Sequence, residues 1–453
     1  METRSHQLVE PTTNGPVPST TSTSPNEAHP TESLTFPGIV TYDHRSSASR
    51  RDELTLRRLE ILVPALMTEH DIDCWVVTSR EYADDAVAMT ILPAEWFSSR
   101  RRSILVFLRN GHYVERLSVA RYDMNGFFQP VWGPSRQPDQ WMALAGLLHE
   151  RSPRTIAVNI SEDFAHGDGL THGEYQQFAT ALGPDLEERV VSADQLAVDW
   201  LQVRLPEERV TMSTACSQAH QLLRRGLSAE AITPGTTTTD DVAWWLRDRV
   251  QELGTHVWFQ PTVSLQRRGD GLRDSFAAKA GSRTIEPGDL VHIDFGIVWD
   301  GLCTDQQQHG YVLDDDESEV PGWVIEALGT GNRMQDILTS EFDTSRSGNE
   351  VLAAALATAK VREIDGVVYT HPIGFHGHGA GPTIGLWDNQ DHIAGSGDRL
   401  LRANTTWSIE LMVKVAVSEW DGQTISIMLE EDAWFDGDSV AYLDGRQKEV
   451  WTI

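Results

Sequence analysis

Two aspartates eleven residues apart in one hairpin constrain this chain more than any other feature. They lie in VHIDFGIVWDGLCTDQQQHGYVL, residues 291–313. Apolar side chains run through Leu290, Val291, Ile293, Phe295, Ile297 and Val298. Trp299-Asp300-Gly301 then supplies turn chemistry, and Tyr311-Val312-Leu313 ends a second strand. A turn centred on Trp299-Asp300 sets Asp294 opposite Asp305, and one centred on Asp300-Gly301 makes them diagonal neighbours. Side chains alternate with period two, so either register leaves both carboxylates on one face, roughly 5 to 8 Å apart. Like charges at that spacing repel unless a cation stands between them, so the hairpin predicts a metal site.

Further donors follow downstream. THPIGFHGHGAGP carries His371, His376 and His378 among glycines and prolines, which predicts a loop presenting imidazoles on a closely approaching backbone. Glu410 in WSIELMV and the adjacent Glu430 and Glu431 in ISIMLEE each interrupt an apolar strand. A carboxylate buried in a strand needs a partner. Two aspartates, a histidine and two glutamates form a hard, oxygen-rich set suited to a pair of divalent ions.

At 453 residues the chain has room for two or three domains. Its 37 basic and 67 acidic residues give a formal charge of -30, which argues against nucleic acid or an anionic membrane as partner and reads mainly as a solvated acidic surface. Cys74, Cys216 and Cys303 lie too far apart to suggest a disulfide framework or a zinc cluster, and Cys303 reads as a small buried hydrophobe. Residues 1–50 begin with a Ser/Thr/Pro-rich stretch without an apolar run and are expected to be a disordered tail. Neither a signal-type apolar segment nor a run of some twenty apolar residues occurs, so a cytoplasmic location is expected.

From Arg51 a helix pattern in RDELTLRRLEILVPALMTEH is followed by a strand at 72–77. Residues 103–108 and 112–117 read as a hairpin about Asn110-Gly111, and 155–160 as a further strand. Together they predict a mixed α/β domain over residues 51–203. Pro206, Glu207 and Glu208 open a helix, and a second runs from Thr239-Asp240-Asp241 to a stop at Gly254. A second domain is expected over 204–453.

The order I-D-F-G, T-D, G-H-G-x-G, I-E and L-E-E-D resembles the pita-bread metallohydrolases, among them methionine aminopeptidase, aminopeptidase P, prolidase and the metal-free creatinase. The resemblance covers about residues 52–453, though its specific motifs all lie beyond 290. It implies an α+β fold, with a pita-bread catalytic domain behind a creatinase/prolidase-type N-terminal domain. It also implies a homodimer. The ligands carried over are Asp294, Asp305, His378, Glu410 and Glu430. His376 competes with His378, and Glu431 with Glu430; H-G-A-G after His378 favours His378, and strand alternation favours Glu430. The implied cofactor is two divalent ions, with manganese first and cobalt, zinc or iron as alternatives, activating a water and polarising a carbonyl. Glu410 would also move the proton from the water to the leaving amine. The implied reaction is hydrolysis of a peptide or amide bond, of the Xaa-Pro aminopeptidase or dipeptidase type, in a short peptide or small amide.

Several positions depart from the family. No histidine precedes Asp294 at the usual distance, His256 being too early; Gly385, or Trp387, replaces the histidine expected after the metal ligand; and Gln308 stands where T-D-x-x-R has arginine. Those histidines normally hold the substrate carbonyl. His371 and His376, and also His309, are the candidate catalytic donors in their place. Trp299, Trp387, Trp407 and Trp434 lie near the ligands in sequence, and core packing is expected for most of them. The alternatives are a hydrolase or lyase of a small C-N-bonded metabolite and a binding pseudoenzyme.

Overall fold

A computed structural model describes residues 42–133, 139–271 and 281–453. The chain from Ile39 onward forms one compact unit. The expected disorder of residues 1–41 lies outside the described residues. The remainder of the proposed tail is not disordered, because the first helix, His44–Glu69, begins well before Arg51. Asp43 caps it, its carboxylate accepting from the Arg45 amide at 3.1 Å. Arg50 on that helix clasps the Asp300 carboxylate at 2.7 and 3.0 Å, tying the start of the chain to the hairpin turn.

The N-terminal half is a six-stranded sheet. Strands β1 (Cys74–Arg80), β2 (Arg102–Asn110) and β3 (Tyr113–Val119) form an antiparallel meander. β4 (Gln129–Pro130) adds at one edge, and β5 (Ile156–Val158) and β6 (Val190–Ser192) run parallel to β1 at the other. The β2–β3 loop is Gly111-His112, one residue beyond the expected turn, since Asn110 pairs with Tyr113. Period-two alternation divides the core: Trp75, Val77, Leu105 and Phe107 point to one face, Cys74, Val76, Ile104 and Val106 to the other.

The C-terminal half is a nine-stranded sheet beside a small three-stranded one. The large sheet runs β13 (Asp365–Val368), β15 (Thr405–Val417), β16 (Gln423–Phe435), β12 (Gln306–Tyr311), β9 (Leu290–Phe295) and β8 (Thr262–Gln266). β14 (His371–Pro372) pairs with β15, β17 (Val440–Tyr442) with β16 and β18 (Trp451–Thr452) with β12. β7 (His256–Val257), β10 (Ile297–Trp299) and β11 (Leu302–Cys303) form the small sheet. Helices cover one face of the large sheet. Odd-numbered Ile409, Leu411, Val413, Ile425, Ile427 and Leu429 pack under helices Gly322–Thr339 and Gly348–Val361. Val291, Ile293 and Phe295 pack under Pro206–Gly226 and Thr239–Leu253. Even-numbered side chains of these strands are thereby turned to the opposite face.

The helix at 239 is capped by Thr238, one residue earlier than the sequence suggested, and closes on Gly254 at φ +94. Trp299, Trp407 and Trp434 are core residues, and Trp387 is 42% exposed. No described helix is long and apolar enough to cross a membrane.

A buried ion network fastens the two halves. Glu208 accepts from Arg58 at 2.6 Å and from Arg204 at 3.0 Å, all three groups being almost fully buried. Both guanidinium groups lie over the Phe375 ring, at 4.9 and 4.4 Å, within the histidine loop. Glu208→Ala would strand two buried cations, and an unfolding titration should register a loss of roughly 3–5 kcal/mol.

Candidate metal centre

The hairpin register decides where the acids go. Asp300 (φ +51) and Gly301 (φ +80) are both left-handed, as a two-residue type I′ turn requires. Val298 therefore pairs with Cys303, and Asp294 with Gln307. Asp305 stands diagonally from Asp294 on the same face, and the residue directly opposite is a glutamine that sequence reasoning had not singled out. Gly296 has its own necessity here: a Cβ would lie 2.1 Å from the Thr304 carbonyl oxygen and 2.5 Å from the Trp258 indole nitrogen.

One row of side chains then crosses five strands. Thr262 pairs with Asp294, Asp294 with Gln307, Gln307 with Glu430 and Glu430 with Glu410. Alternation sends the neighbouring Glu431 to the other face, where it accepts from His220 at 2.6 Å and from Gln308 at 2.9 Å. Gln308, in the arginine position, brings no charge; His220 supplies it. Burial works against a charge on that imidazole, but Glu431 and Asp444 outweigh it and hold its pKa at about 10. Asp432 returns to the acid face and accepts from the Asp305 amide at 3.1 Å and from Gln306 at 3.0 Å.

Four of the five expected ligands draw together through shared neighbours. Ligand atoms of Asp294, Asp305 and Glu430 lie within 4.8 Å of one another, as do those of His371, Glu410 and Glu430, and those of Asp305, His371 and His378. His378 thus joins the cluster only in company with His371. Burial first, and then the Glu430 charge, push Asp294, Asp305 and Glu410 well above the usual carboxylate range. Asp294 Oδ1, Asp305 Oδ1 and His371 Nε2 are buried without a hydrogen-bond partner. Buried acids left with unused lone pairs are the donor set that a divalent cation satisfies, so these residues fit a metal.

The Gln307 amide nitrogen donates to Glu430 at 2.7 Å and to Glu410 at 2.5 Å. Its oxygen lies 2.9 Å from His292 Nε2, and His292 Nδ1 lies 3.3 Å from the Ser264 hydroxyl. This chain holds the two glutamates from the side away from His371. Its sequence signal was faint: a glutamine two residues after Asp305, in phase with the acids.

The loop histidines separate by surroundings. His376 packs on the His166 ring at 4.5 Å, and burial, aided by His166 and Arg204, lowers its pKa to about 4. His309 is fully buried with Nε2 2.9 Å from the Met428 carbonyl, so it presents no donor to a substrate. His371 Nδ1 donates to the Pro372 carbonyl at 2.9 Å, and its Nε2 faces Glu430 Oε1 at 3.5 Å and Glu410 Oε2 at 3.7 Å. No side chain can stand at Gly385: φ is +76 and a Cβ would meet the Val368 carbonyl oxygen at 2.0 Å. The Trp258 ring lies against Gly377, where a Cβ would fall 2.2 Å from it, and edge-on to His378 at 5.4 Å.

Comparison with known proteins agrees with this geometry. Residues 211–435 match the model of metallopeptidase family M24. Among solved structures, X-Pro aminopeptidase from Thermotoga maritima MSB8 superposes with a TM-score of 0.61 at 18% identity, covering 84% of this chain and 97% of its own. Xaa-Pro dipeptidase from Bacillus anthracis gives 0.61 at 15%, over 91% and 100%. Prolidase from Pyrococcus horikoshii OT3 gives 0.57 at 13%, over 87% and 99%. No curated protein matches the sequence. The chain carries the pita-bread fold, and its segment 211–435 is similar to metallopeptidase family M24. By family and fold it is a peptidase-type hydrolase.

Glu430 and Glu431 should separate by experiment. Glu430→Ala should abolish binding of divalent ions in a calorimetric titration. Glu431→Ala removes the leading charge that holds the proton on buried His220; it should lower stability by roughly 3 kcal/mol while the folded fraction still binds metal.

Proposed function

We propose a dinuclear metal-dependent hydrolase that cleaves a peptide or amide bond in short peptides, of the Xaa-Pro aminopeptidase or dipeptidase type. The observation that carries this reading is the convergence of Asp294 Oδ1, Asp305 Oδ1 and the two row glutamates on one buried face. Asp294, Asp305, His378, Glu410 and Glu430 would hold two divalent ions, manganese first, with cobalt, zinc or iron as alternatives. Ions bound there would lower the pKa of a shared water and polarise the scissile carbonyl.

The chain's own groups do the rest. Glu410 accepts the proton of the attacking water and passes it to the leaving amine. Gln307 fixes both glutamates in place, so that their geometry need not reorganise during the reaction. His376 is the loop imidazole left to donate to a substrate carbonyl, from the side where His166 stands. In this reading residues 204–453 are the catalytic domain and the preceding domain, through His166, helps to form the mouth.

A second reading has a specific observation in its favour. The backbone at Gly385 has no room for the carbonyl-holding histidine expected there. A small C-N-bonded metabolite, needing fewer contacts than a peptide, would suit such a site. A binding pseudoenzyme fits less well, because every expected ligand is present.

Elemental analysis of protein purified without chelator, beside Asp305→Ala, tests the centre. Two ions per chain, lost in the variant, are expected; none in the wild type after manganese, cobalt or zinc is added would overturn it. Asp294→Ala and Glu410→Ala should each abolish turnover, by about 10³-fold or more. Hydrolysis of a dipeptide panel then separates the peptidase from the metabolite enzyme.

A further inference from the structure

We infer that Tyr369 is a catalytic hydrogen-bond donor of this site, its phenol O–H meeting the substrate oxygen that gains charge when water attacks the scissile carbonyl. This rests on the hydrolase reading above and adds a residue of the chain itself to the reaction. Register places it. Val367 pairs with Met412 and Val368 with Leu411, and the Tyr369 amide then donates to the Glu410 carbonyl at 3.2 Å. Tyr369 therefore stands beside Glu410 and lengthens the row of Asp294, Gln307, Glu430 and Glu410 by one position. Val368 is part of the core under the helices, so alternation turns Tyr369 to the acid face.

The bed beneath the ring directs the hydroxyl. Tyr369 packs with Met412, Met428 and Val367 in a small apolar cluster separate from the larger cores. Met412 and Met428 pair with each other and are the same-face neighbours of Glu410 and Glu430 along their strands. Burial first, then the charges of Glu410, Glu430 and Asp294, raise the phenol pKa well above its ordinary value, so the group keeps its proton. Asp294 lies three strands beyond Glu410, and its charge reaches the phenol only if the ring leans over the row toward the centre. Carboxylates only accept, and Gln307 spends its amide N–H groups on two of them. A neutral phenol adds a donor to a face built of acceptors. Tyr369 keeps 9% of its surface exposed and the two methionines 8% each, enough for a substrate atom to touch. One buried donor aimed at a developing oxyanion contributes about 10²- to 10³-fold in kcat.

Tyr369→Phe keeps the ring on its bed and removes only the hydroxyl. In full-length, manganese-loaded protein it should lower kcat for a hydrolysed dipeptide about 10²-fold while KM stays within about twofold. Calorimetry with a phosphinic dipeptide, which mimics the tetrahedral intermediate, should show affinity falling by a similar factor. Ion content and melting temperature should match the wild type. An unchanged kcat and phosphinate affinity would overturn the assignment, and so would loss of the ions, which would make Tyr369 a support of the centre instead. A wild type that binds the phosphinate but hydrolyses no dipeptide would overturn the peptidase reading alone, and the phosphinate comparison would still decide for Tyr369. A wild type that binds neither ions nor phosphinate would overturn both. If Tyr369→Phe folds poorly, Tyr369→Met, which extends the thioether bed without a hydroxyl, is held to the same outcomes.

Discussion

Everything at the centre of this protein depends on placing acids of like charge side by side inside a sheet. Asp294, Glu430 and Glu410 share one cross-strand row, with Asp305 diagonal to it. A single residue of slip in any of these strands would exchange the acids for the apolar side chains packed under the helices. Hydrophobic burial on the helix face therefore fixes the register, and the register forces the acids together. Alone, such an arrangement is costly, as the upward displacement of the carboxylate pKa values shows. A cation converts the same repulsion into binding energy, so fold and metal affinity follow from one constraint.

The surroundings divide this constraint between two faces. On the acid face Gln307 satisfies one oxygen of each glutamate and His371 turns its Nε2 toward the others. On the helix face Glu431, one residue along, meets a protonated His220 in place of a metal. Adjacent glutamates in the sequence thus have opposite fates. The histidine loop is held by a third device, the Arg58–Glu208–Arg204 network beneath Phe375. That network joins the first helix, the helix at 206 and the loop, so the N-terminal half contributes to the position of the imidazoles it does not itself carry.

The departures from the family share a steric origin. Gly385 and Gly377 admit no side chain, the first because of the Val368 carbonyl and the second because of Trp258.

Much of this was readable from residue order. Period-two alternation identified which residues of the hairpin and of the two glutamate strands share a face, and distinguished Glu430 from Glu431, because alternation is a local property of extended backbone. The type of the turn was open between two registers; the left-handed pair Asp300-Gly301 decided it. The helix start at His44, the displaced β2–β3 turn and the Thr238 cap differ from the sequence reading by a few residues, as expected where local signals compete. Four matters belonged to tertiary structure alone: Gln307 across from Asp294, His220 beneath Glu431, the tautomer of His371 and the pairing of His376 with His166. Each joins residues tens to hundreds of positions apart, or depends on a hydrogen bond to a carbonyl whose direction only the folded chain sets. Sequence determined which donors this protein owns and on which face of a strand each lies; the packing of strands against helices determined which of them meet.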